Sequence, residues 1–491
     1  MIRICWVPNI DRIYFDEDRY LSHAVSFAKF NKNFGIILAT PEKLIIGESD
    51  PAARLTAPVI NGWVLKLFGY SKGNLYLASK IFSSIEILLV FATLYFLFKN
   101  SLAASVASLI FALVPISIYW SVSTAPDSYF IFFSLLTFIA SGWYARSRNL
   151  ISALFMIFST TILLFTRLEA LLFLVVIGAT IYSIRKSEKT AIFTKKDLFC
   201  SLAVLFIVGI RVYISLPLLG KTWCCAEDTP TEIFSLAYFS RNFLPNLFTF
   251  FNRPEFPFAI SILAFGTILL VKRKTAKIFS LGLWILLYFF IYSLYFAGVF
   301  YTYQFSGSYG RYFLMLVPPL VILASSTICE AIVNFRNFNW KVKLLFFFLS
   351  LGLLLTLFPT IRNYRKLIDK SAYDELVEIN PRRIQEFLQY YILPQAPPDS
   401  IIIHPLVDLV VLYGRAGADY NSFLKNEKII KYIAEKIKEG KPVFMEEFFT
   451  CRDFPERCEK IRPYFDLKYY GLEGDPPGFY LLKLELKEAA P

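Results

Sequence analysis

Charged residues are scarce in this sequence: they make up 18% of its 491 residues, whereas hydrophobic residues make up 56%. A soluble globular protein carries about a quarter charged residues. The apolar residues form blocks long enough to cross a membrane until about residue 358, after which the composition becomes that of an ordinary soluble domain. The shortage of charge therefore excludes a soluble globular chain and predicts a multi-pass membrane protein with a soluble tail.

Histidine is almost absent, with only His23 and His404, so a multi-histidine metal site is excluded. The sequence also lacks a Gly-rich phosphate loop and a nucleotide-binding fingerprint, and we expect no signal peptide. We therefore predict no metal and no organic cofactor. Binding of a divalent metal ion at the acidic loop stays open as an alternative, because Asp16 and Asp18 have the spacing of an acidic pair that binds such an ion.

The seven cysteines show no spacing typical of metal ligands. Cys224 and Cys225 are adjacent, and Cys451 and Cys458 lie seven residues apart. If both pairs lie on the outer side of the membrane, disulfides are permitted there but are not required. The cysteines alone therefore do not decide whether either pair forms a disulfide.

The hydrophobic blocks predict ten membrane spans. The apolar run 150–184 is too long for one helix, and folding it into a hairpin places a break at 166–169 on a membrane surface. The predicted spans are 75–98, 102–119, 129–145, 150–165, 167–184, 198–219, 258–271, 278–297, 312–333 and 343–358.

Basic residues are concentrated in alternate loops between these spans, which the positive-inside rule assigns to the cytoplasm. This placement explains the net charge of +13 without nucleic acid, so membrane lipids are the expected surroundings. Residues 1–74, the loop 220–257 and the tail after 358 then face outward. The basic residues assigned to the cytoplasm are Lys99, Arg146, Arg148, Arg185, Lys186, Lys189, Lys195, Lys196, Lys272, Arg273, Lys274, Lys277, Arg336, Lys341 and Lys343.

The tail alternates strand and helix signals, with strands at 400–404, 442–445 and 478–486 and a charged amphipathic helix at 426–439. We expect three or four strands in total. The predicted fold class is an all-α polytopic membrane domain followed by a small α/β domain outside the cytoplasm. The predicted regions are an outer acidic loop with interfacial helices (1–74), the transmembrane domain (75–358), a linker (359–371) and the small α/β domain (372–491).

The first candidates for catalysis are Asp16 and Glu17, on the predicted outer side next to an interfacial helix. Group transfer onto a hydroxyl needs a base for the acceptor proton, and a carboxylate at the membrane surface suits that role. The same acids could equally cap the helix predicted at 19–30, because negative charge is favourable at a helix N-terminus. The residues alone leave both interpretations open.

Four further residues lie where predicted spans meet the outer surface. Asp127 could be functional or could cap the next helix. Arg311, followed by Tyr312, could grip a phosphate through two parallel hydrogen bonds or could anchor the span at the surface. Arg167 has the same two interpretations, and it could also simply pair with Glu169.

Five segments, taken in this order, resemble the GT-C superfamily of polytopic glycosyltransferases. The similarity is greatest to the branch of the protein O-mannosyltransferases (dolichyl-phosphate-mannose-dependent) and the bacterial aminoarabinose transferases. The segments are the acidic first loop at 14–24, the Pro-rich segment 51–69, Ala125-Pro126-Asp127, the arginine-x-glutamate turn at 166–169, and the arginine-tyrosine segment 308–319.

The resemblance implies a glycosyltransferase that moves a sugar from a polyprenyl or dolichyl phosphate to an acceptor hydroxyl on a protein, lipid or glycan. It implies Asp16 as the catalytic base, Glu17 or Asp127 as its support, and Arg311 near the donor phosphate. Two features depart from the family pattern. Family members normally begin with a span before the acidic loop, and we predict none there in this sequence, so either the true chain is longer or the loop is held outside by other means. The tail has no WWDYG signature, which argues against transfer of a whole glycan to asparagine.

Two other functions fit the sequence less well than a transferase. A transporter or lipid flippase would also contain charges within its spans, but the two halves of the sequence show no internal repeat. A non-catalytic relative would keep the fold without the chemistry, and the presence of both Asp16 and Arg311 argues against it. We therefore favour a glycosyltransferase.

Overall fold

The chain forms two compact units, which are described separately below. The helical unit comprises residues 1–8, 51–56 and 79–377, and the α/β unit comprises 9–50, 57–78 and 378–491. The computed structural model describes residues 3, 7, 14–49, 54–215, 234–252, 256–270, 276–295, 308–333, 340, 343–344, 347–353, 355, 385–447, 450–451, 455–471 and 480–487.

Apolar helices dominate the helical unit, and two of them, α8 and α13, are each preceded by a 3₁₀ helix, Leu168–Leu172 and Ser308–Leu316. Up to residue 333, the α-helices of the described residues are α1 (Tyr14–Phe30), α2 (Thr56–Phe68), α3 (Lys72–Phe98), α4 (Ser101–Leu113), α5 (Pro115–Tyr119), α6 (Pro126–Ser147), α7 (Leu150–Leu164), α8 (Phe173–Ser187), α9 (Lys195–Ser215), α10 (Leu236–Asn252), α11 (Phe258–Leu270), α12 (Ala276–Ser293) and α13 (Val317–Val333).

The multi-pass membrane prediction is confirmed. Five helical segments of the described chain are long and apolar enough to cross a membrane, and four shorter apolar helices accompany them. The first nine predicted spans each fall on a helix, while much of the tenth, 343–358, lies outside the described residues. The helix α10 was not predicted, because its sequence lies in the loop assigned to 220–257.

Local signals in the sequence explain where these helices begin and end. The side chains of Asn100 and Asn149 cap α4 and α7 by accepting hydrogen bonds from the backbone amides of Ala103 and Ser152, at 3.0 and 2.8 Å. Pro115 starts a new helix directly after α4, because proline lacks the amide hydrogen that would continue the first one. The predicted break in the long apolar run is confirmed, since α7 ends at Leu164 and α8 begins only at Phe173.

The α/β unit contains a seven-stranded sheet in the order β2-β1-β4-β3-β5-β7-β6. The central strands β4, β3 and β5 are parallel, and the other neighbours are antiparallel. The strands are β1 (Gly35–Ala39), β2 (Leu44–Glu48), β3 (Ile401–His404), β4 (Ala416–Asp419), β5 (Val443–Glu446), β6 (Phe465–Tyr470) and β7 (Leu481–Leu486).

One face of the sheet is covered by the helix Glu427–Lys438, which buries Ile429 and Ile433 against Ile403 and Met445. This helix and the strands β3, β5 and β7 agree with the prediction for the tail. The described residues of the tail form five strands rather than the three or four expected. Cys451 forms a disulfide with Cys458.

The N-terminal region contributes the other two strands of this sheet. Leu38 of β1 pairs with Ala418 of β4, so residues predicted as part of an outer loop lie in the same sheet as the tail. The local pattern could not predict this, because both strands are only five residues long and β4, the strand that joins β1 to the tail, is hundreds of residues away in sequence.

Candidate functional site

A buried arginine binds two carboxylates inside the helical unit. Arg167 Nη1 donates a hydrogen bond to Asp127 Oδ1. The same guanidinium donates from Nη2 to Glu169 Oε1 at 2.9 Å and from Nε to Glu169 Oε2 at 3.3 Å. Asp127 and Arg167 are both buried. The three side chains therefore form one hydrogen-bonded cluster, which we call the Arg167 cluster.

The local sequence explains how these side chains meet. Pro126 starts α6, so Asp127 lies in the first turn, where the exposed backbone amides favour a negative charge. At the end of α7 the hydroxyl of Thr166 donates to the carbonyl of Leu163, at 2.6 Å, and the next residue, Arg167, has extended backbone. The helix α7 therefore does not continue through Arg167, which lies between α7 and the 3₁₀ helix Leu168–Leu172.

Tyrosine rings border the Arg167 cluster. The guanidinium carbon of Arg167 lies 5.1 Å from the ring centre of Tyr312, a cation–π distance. The ring of Tyr312 in turn lies 5.2 Å from the ring of Tyr292 and 5.3 Å from that of Tyr295. The hydroxyl of Tyr288 donates to the backbone carbonyl of Glu169 at 3.0 Å. A charged cluster is therefore joined to an aromatic one.

Hydrogen-bonding capacity remains at the Arg167 cluster. Asp127 Oδ2 is buried and has no hydrogen-bond partner within the described ranges. A guanidinium carries five N–H donors, and the three hydrogen bonds above leave two of them for another group. Arg54 also interacts electrostatically with Glu169 and adds a second positive charge. The cluster thus offers both donors and an acceptor.

The structure brings together three of the six residues predicted for the site, Asp127, Arg167 and Tyr312. Asp16 and Glu17 lie in the first turn of α1, and Arg311 lies in the 3₁₀ helix Ser308–Leu316, but the side chains of all three are outside the described residues.

Two tyrosines of α12, and a third that lies two residues beyond its end, were not predicted as site residues. Tyr288, Tyr292 and Tyr295 recur at intervals of four and three residues, which places them on one face of a helix. That spacing was a usable signal, although aromatic residues at helical spacing are common in membrane spans. No group of three His, Cys, Asp or Glu side chains with metal-binding geometry occurs in the part of the chain that the structure describes.

The apolar helices together with the small α/β unit define a multi-pass membrane protein with the GT-C fold. The chain is similar to the crystal structure of ArnT, an aminoarabinose transferase, from Cupriavidus metallidurans in the apo state. The TM-score is 0.58 at 12% sequence identity, with 97% of this chain and 95% of that chain covered. The structure of the same protein bound to undecaprenyl phosphate matches equally well, with a TM-score of 0.58, 12% identity and coverage of 99% and 97%.

The resemblance to the GT-C fold that the sequence motifs suggested is therefore confirmed. A weaker likeness links the chain to the archaeal oligosaccharyltransferase AglB from Archaeoglobus fulgidus, with a TM-score of 0.48, 13% identity and coverage of 100% and 74%. No protein-family model and no curated protein sequence matches the chain. At these identities the comparisons establish the fold.

Proposed function

We propose that this protein is a membrane glycosyltransferase that takes a sugar from a polyprenyl or dolichyl phosphate and transfers it, with inversion, to an acceptor hydroxyl. The observation that carries this proposal is the buried Arg167 cluster, with two N–H donors and one carboxylate oxygen available, within a chain of the GT-C fold. The acceptor is a hydroxyl of a protein, a lipid or a glycan, and no organic cofactor takes part.

Arginine suits a phosphate leaving group because its planar donors match the geometry of phosphate oxygens. The two carboxylates hold the guanidinium of Arg167 in one orientation, and Tyr312 covers part of it. They also offset its charge, so further cations are needed to hold an anionic phosphate. Arg54 supplies one of them, and we assign the other to Arg311. The undecaprenyl phosphate bound to ArnT supports a lipid-phosphate donor for this chain as well.

The chemical step needs a base for the acceptor proton. We assign that role to Asp16, with Glu17 or Asp127 in support, because Asp127 Oδ2 is a buried acceptor that is open to a substrate hydroxyl. A phosphate departs without needing a proton, so a second acid is unnecessary. Arginines that surround the leaving group stabilise its charge without a metal.

The donor can be tested directly with purified protein in lipid nanodiscs. We expect release of undecaprenyl phosphate from at least one undecaprenyl-phosphate sugar when an acceptor extract is added, and no turnover of nucleotide sugars. Efficient transfer from a nucleotide sugar, without release of lipid phosphate, would contradict the proposed donor.

Replacement of Arg311 by lysine is expected to lower turnover by roughly 10- to 100-fold, which corresponds to the loss of about one charge-assisted hydrogen bond. Lysine keeps the charge but loses the paired donors that phosphate requires. Arg148→Lys is the matched control, because Arg148 is a partly exposed arginine in a loop assigned to the cytoplasm. Equal activity of the two variants would remove Arg311 from the donor site.

We further propose that the α/β unit lies outside the cytoplasm. The disulfide between Cys451 and Cys458 supports this, because disulfides persist in oxidising compartments. An impermeant thiol reagent, applied to intact cells after mild reduction, is expected to label both cysteines and to miss a cysteine introduced as Lys189→Cys. Mass spectrometry of proteolytic peptides would measure the labelling of each cysteine separately. Labelling of Cys451 only after lysis would reverse the proposed orientation.

A further inference from the structure

The helix α10 carries two buried asparagines next to the tyrosines of the candidate site. It packs on α12 through aromatic rings, with Phe239 5.2 Å from Phe290 and Phe243 5.5 Å from Phe289. Asn242 and Asn246 are four residues apart, so they lie on the same face of α10, and both are fully buried. An apolar helix contact thus contains two amide side chains.

Each of these amides uses its nitrogen and leaves its oxygen without a partner. Asn242 Nδ2 donates to the backbone carbonyl of Tyr295 at 2.8 Å, and Asn246 Nδ2 donates to Ser293 Oγ at 3.2 Å. The two side-chain oxygens, Asn242 Oδ1 and Asn246 Oδ1, are buried and accept no hydrogen bond from the described residues. Buried polar atoms almost always have a partner. Two unmatched acceptors on one helix face therefore call for a ligand.

A third unmatched group lies on the neighbouring helix. The hydroxyl of Tyr292 is buried and also lacks a partner among the residues the structure describes. Its ring packs 5.2 Å from the ring of Tyr312, and the hydroxyls of Tyr295 and Tyr312 lie 3.5 Å apart. Since Tyr312 also contacts the guanidinium of Arg167, the unmatched groups are continuous with the Arg167 cluster.

We propose that Asn242, Asn246 and Tyr292 form a subsite that receives the sugar hydroxyls of the lipid-linked donor. The inference rests on the proposed function, in which the phosphate binds at Arg167. Sugar and phosphate are directly bonded in such a donor, so a sugar subsite must adjoin the phosphate site, as this one does. The subsite is neutral, which suits hydroxyl groups, and tyrosine rings provide flat surfaces for the C–H faces of a sugar.

The test compares the lipid phosphate with and without its sugar. Binding of undecaprenyl phosphate and of undecaprenyl-phosphate glucose, mannose and aminoarabinose is measured with the protein in nanodiscs. For the sugar that the parent binds most tightly, Tyr292→Phe and Asn246→Ala are each expected to weaken binding by roughly 3- to 10-fold, the effect of one neutral hydrogen bond. Binding of bare undecaprenyl phosphate should be unchanged.

Tyr144→Phe is the matched control. Tyr144 is a buried tyrosine on α6 whose hydroxyl donates to Asp197 at 2.8 Å, and it lies about 25 Å along the helix from Asp127. Its loss should lower the melting temperature without changing sugar discrimination. Tyr292→Phe should leave the melting temperature nearly unchanged and alter sugar discrimination, because its hydroxyl forms no hydrogen bond with the residues that the structure describes.

Two results would overturn the subsite in distinguishable ways. If the parent binds a sugar-bearing lipid more tightly than the bare lipid, and both variants keep that difference, the subsite is wrong and the proposed function stands. If the sugar adds nothing to the parent's affinity for any member of the panel, the subsite and the proposed donor fail together.

Discussion

Replacement of Arg167 by glutamine is expected to lower the stability of the helical unit by about 3–5 kcal/mol and to abolish transfer. The reason is that Arg167 is the partner of two carboxylates carried by different segments, Asp127 at the start of α6 and Glu169 beyond the end of α7. Without the guanidinium, the buried carboxylate of Asp127 and the half-buried carboxylate of Glu169 both lose the donors that bind them. The measurement is thermal unfolding of the purified protein in nanodiscs.

A triple variant separates the structural role of Arg167 from its role in binding. When Asp127→Asn and Glu169→Gln are combined with Arg167→Gln, no buried charge is left unpaired, and the stability should return to within about 1 kcal/mol of the parent. Transfer should stay absent, because the phosphate has lost the paired donors of Arg167. An unchanged melting temperature in Arg167→Gln alone would show that the cluster does not hold these segments together.

The second large effect is expected for Asp16→Asn, which should lower turnover by ~100- to 10,000-fold while the protein stays folded. Asparagine keeps the shape and much of the hydrogen bonding of aspartate but cannot take a proton at neutral pH. Binding of the lipid donor should be nearly unaffected, because the phosphate is held by arginines. Two measurements are needed: the single-turnover release of undecaprenyl phosphate and, separately, the binding of the lipid donor.

Asp18→Asn provides the control for Asp16, since both acids lie in the first turns of α1 and an effect on the helix terminus would be shared. If the two variants lose activity equally, the acids act as helix caps. Turnover of Asp16→Asn within a few-fold of the parent would transfer the role of base to Asp127, whose Oδ2 atom is unmatched in the structure.

The long apolar blocks were sufficient to predict most of the described helices of the helical unit, with α10 as an exception. Each of the first nine predicted spans falls on a helix, because a membrane span needs a long apolar run that composition alone reveals. The sheet was only partly predictable. The strands β3, β5 and β7 have strong apolar patterns of their own, whereas β1 and β2 are short and depend on a distant partner, β4, or on each other.

Within the candidate site, the sequence could indicate which residues were unusual but not which of them meet. Asp127 and Arg167 were each identified as charges at the ends of spans, and their contact joins residues that are 40 positions apart in sequence. The pairing of Arg167 with Glu169 was foreseen because the two are neighbours in sequence. Asn242 and Asn246 were missed, because uncharged amides in a predicted loop carry no signal until the structure shows them buried and unmatched.

The shared sheet also restricts the number of membrane crossings. Strands joined by backbone hydrogen bonds lie on one side of the bilayer, and β2 ends at Glu48 while β3 begins at Ile401. Between these two residues the chain leaves that side and returns to it, so it crosses the membrane an even number of times. Nine crossings would separate β1 from β4, so one further crossing is needed beside the nine predicted spans that fall on helices, and we predict it at 343–358, of which residues 347–353 are helical. Any revision of the spans must therefore add or remove crossings in pairs.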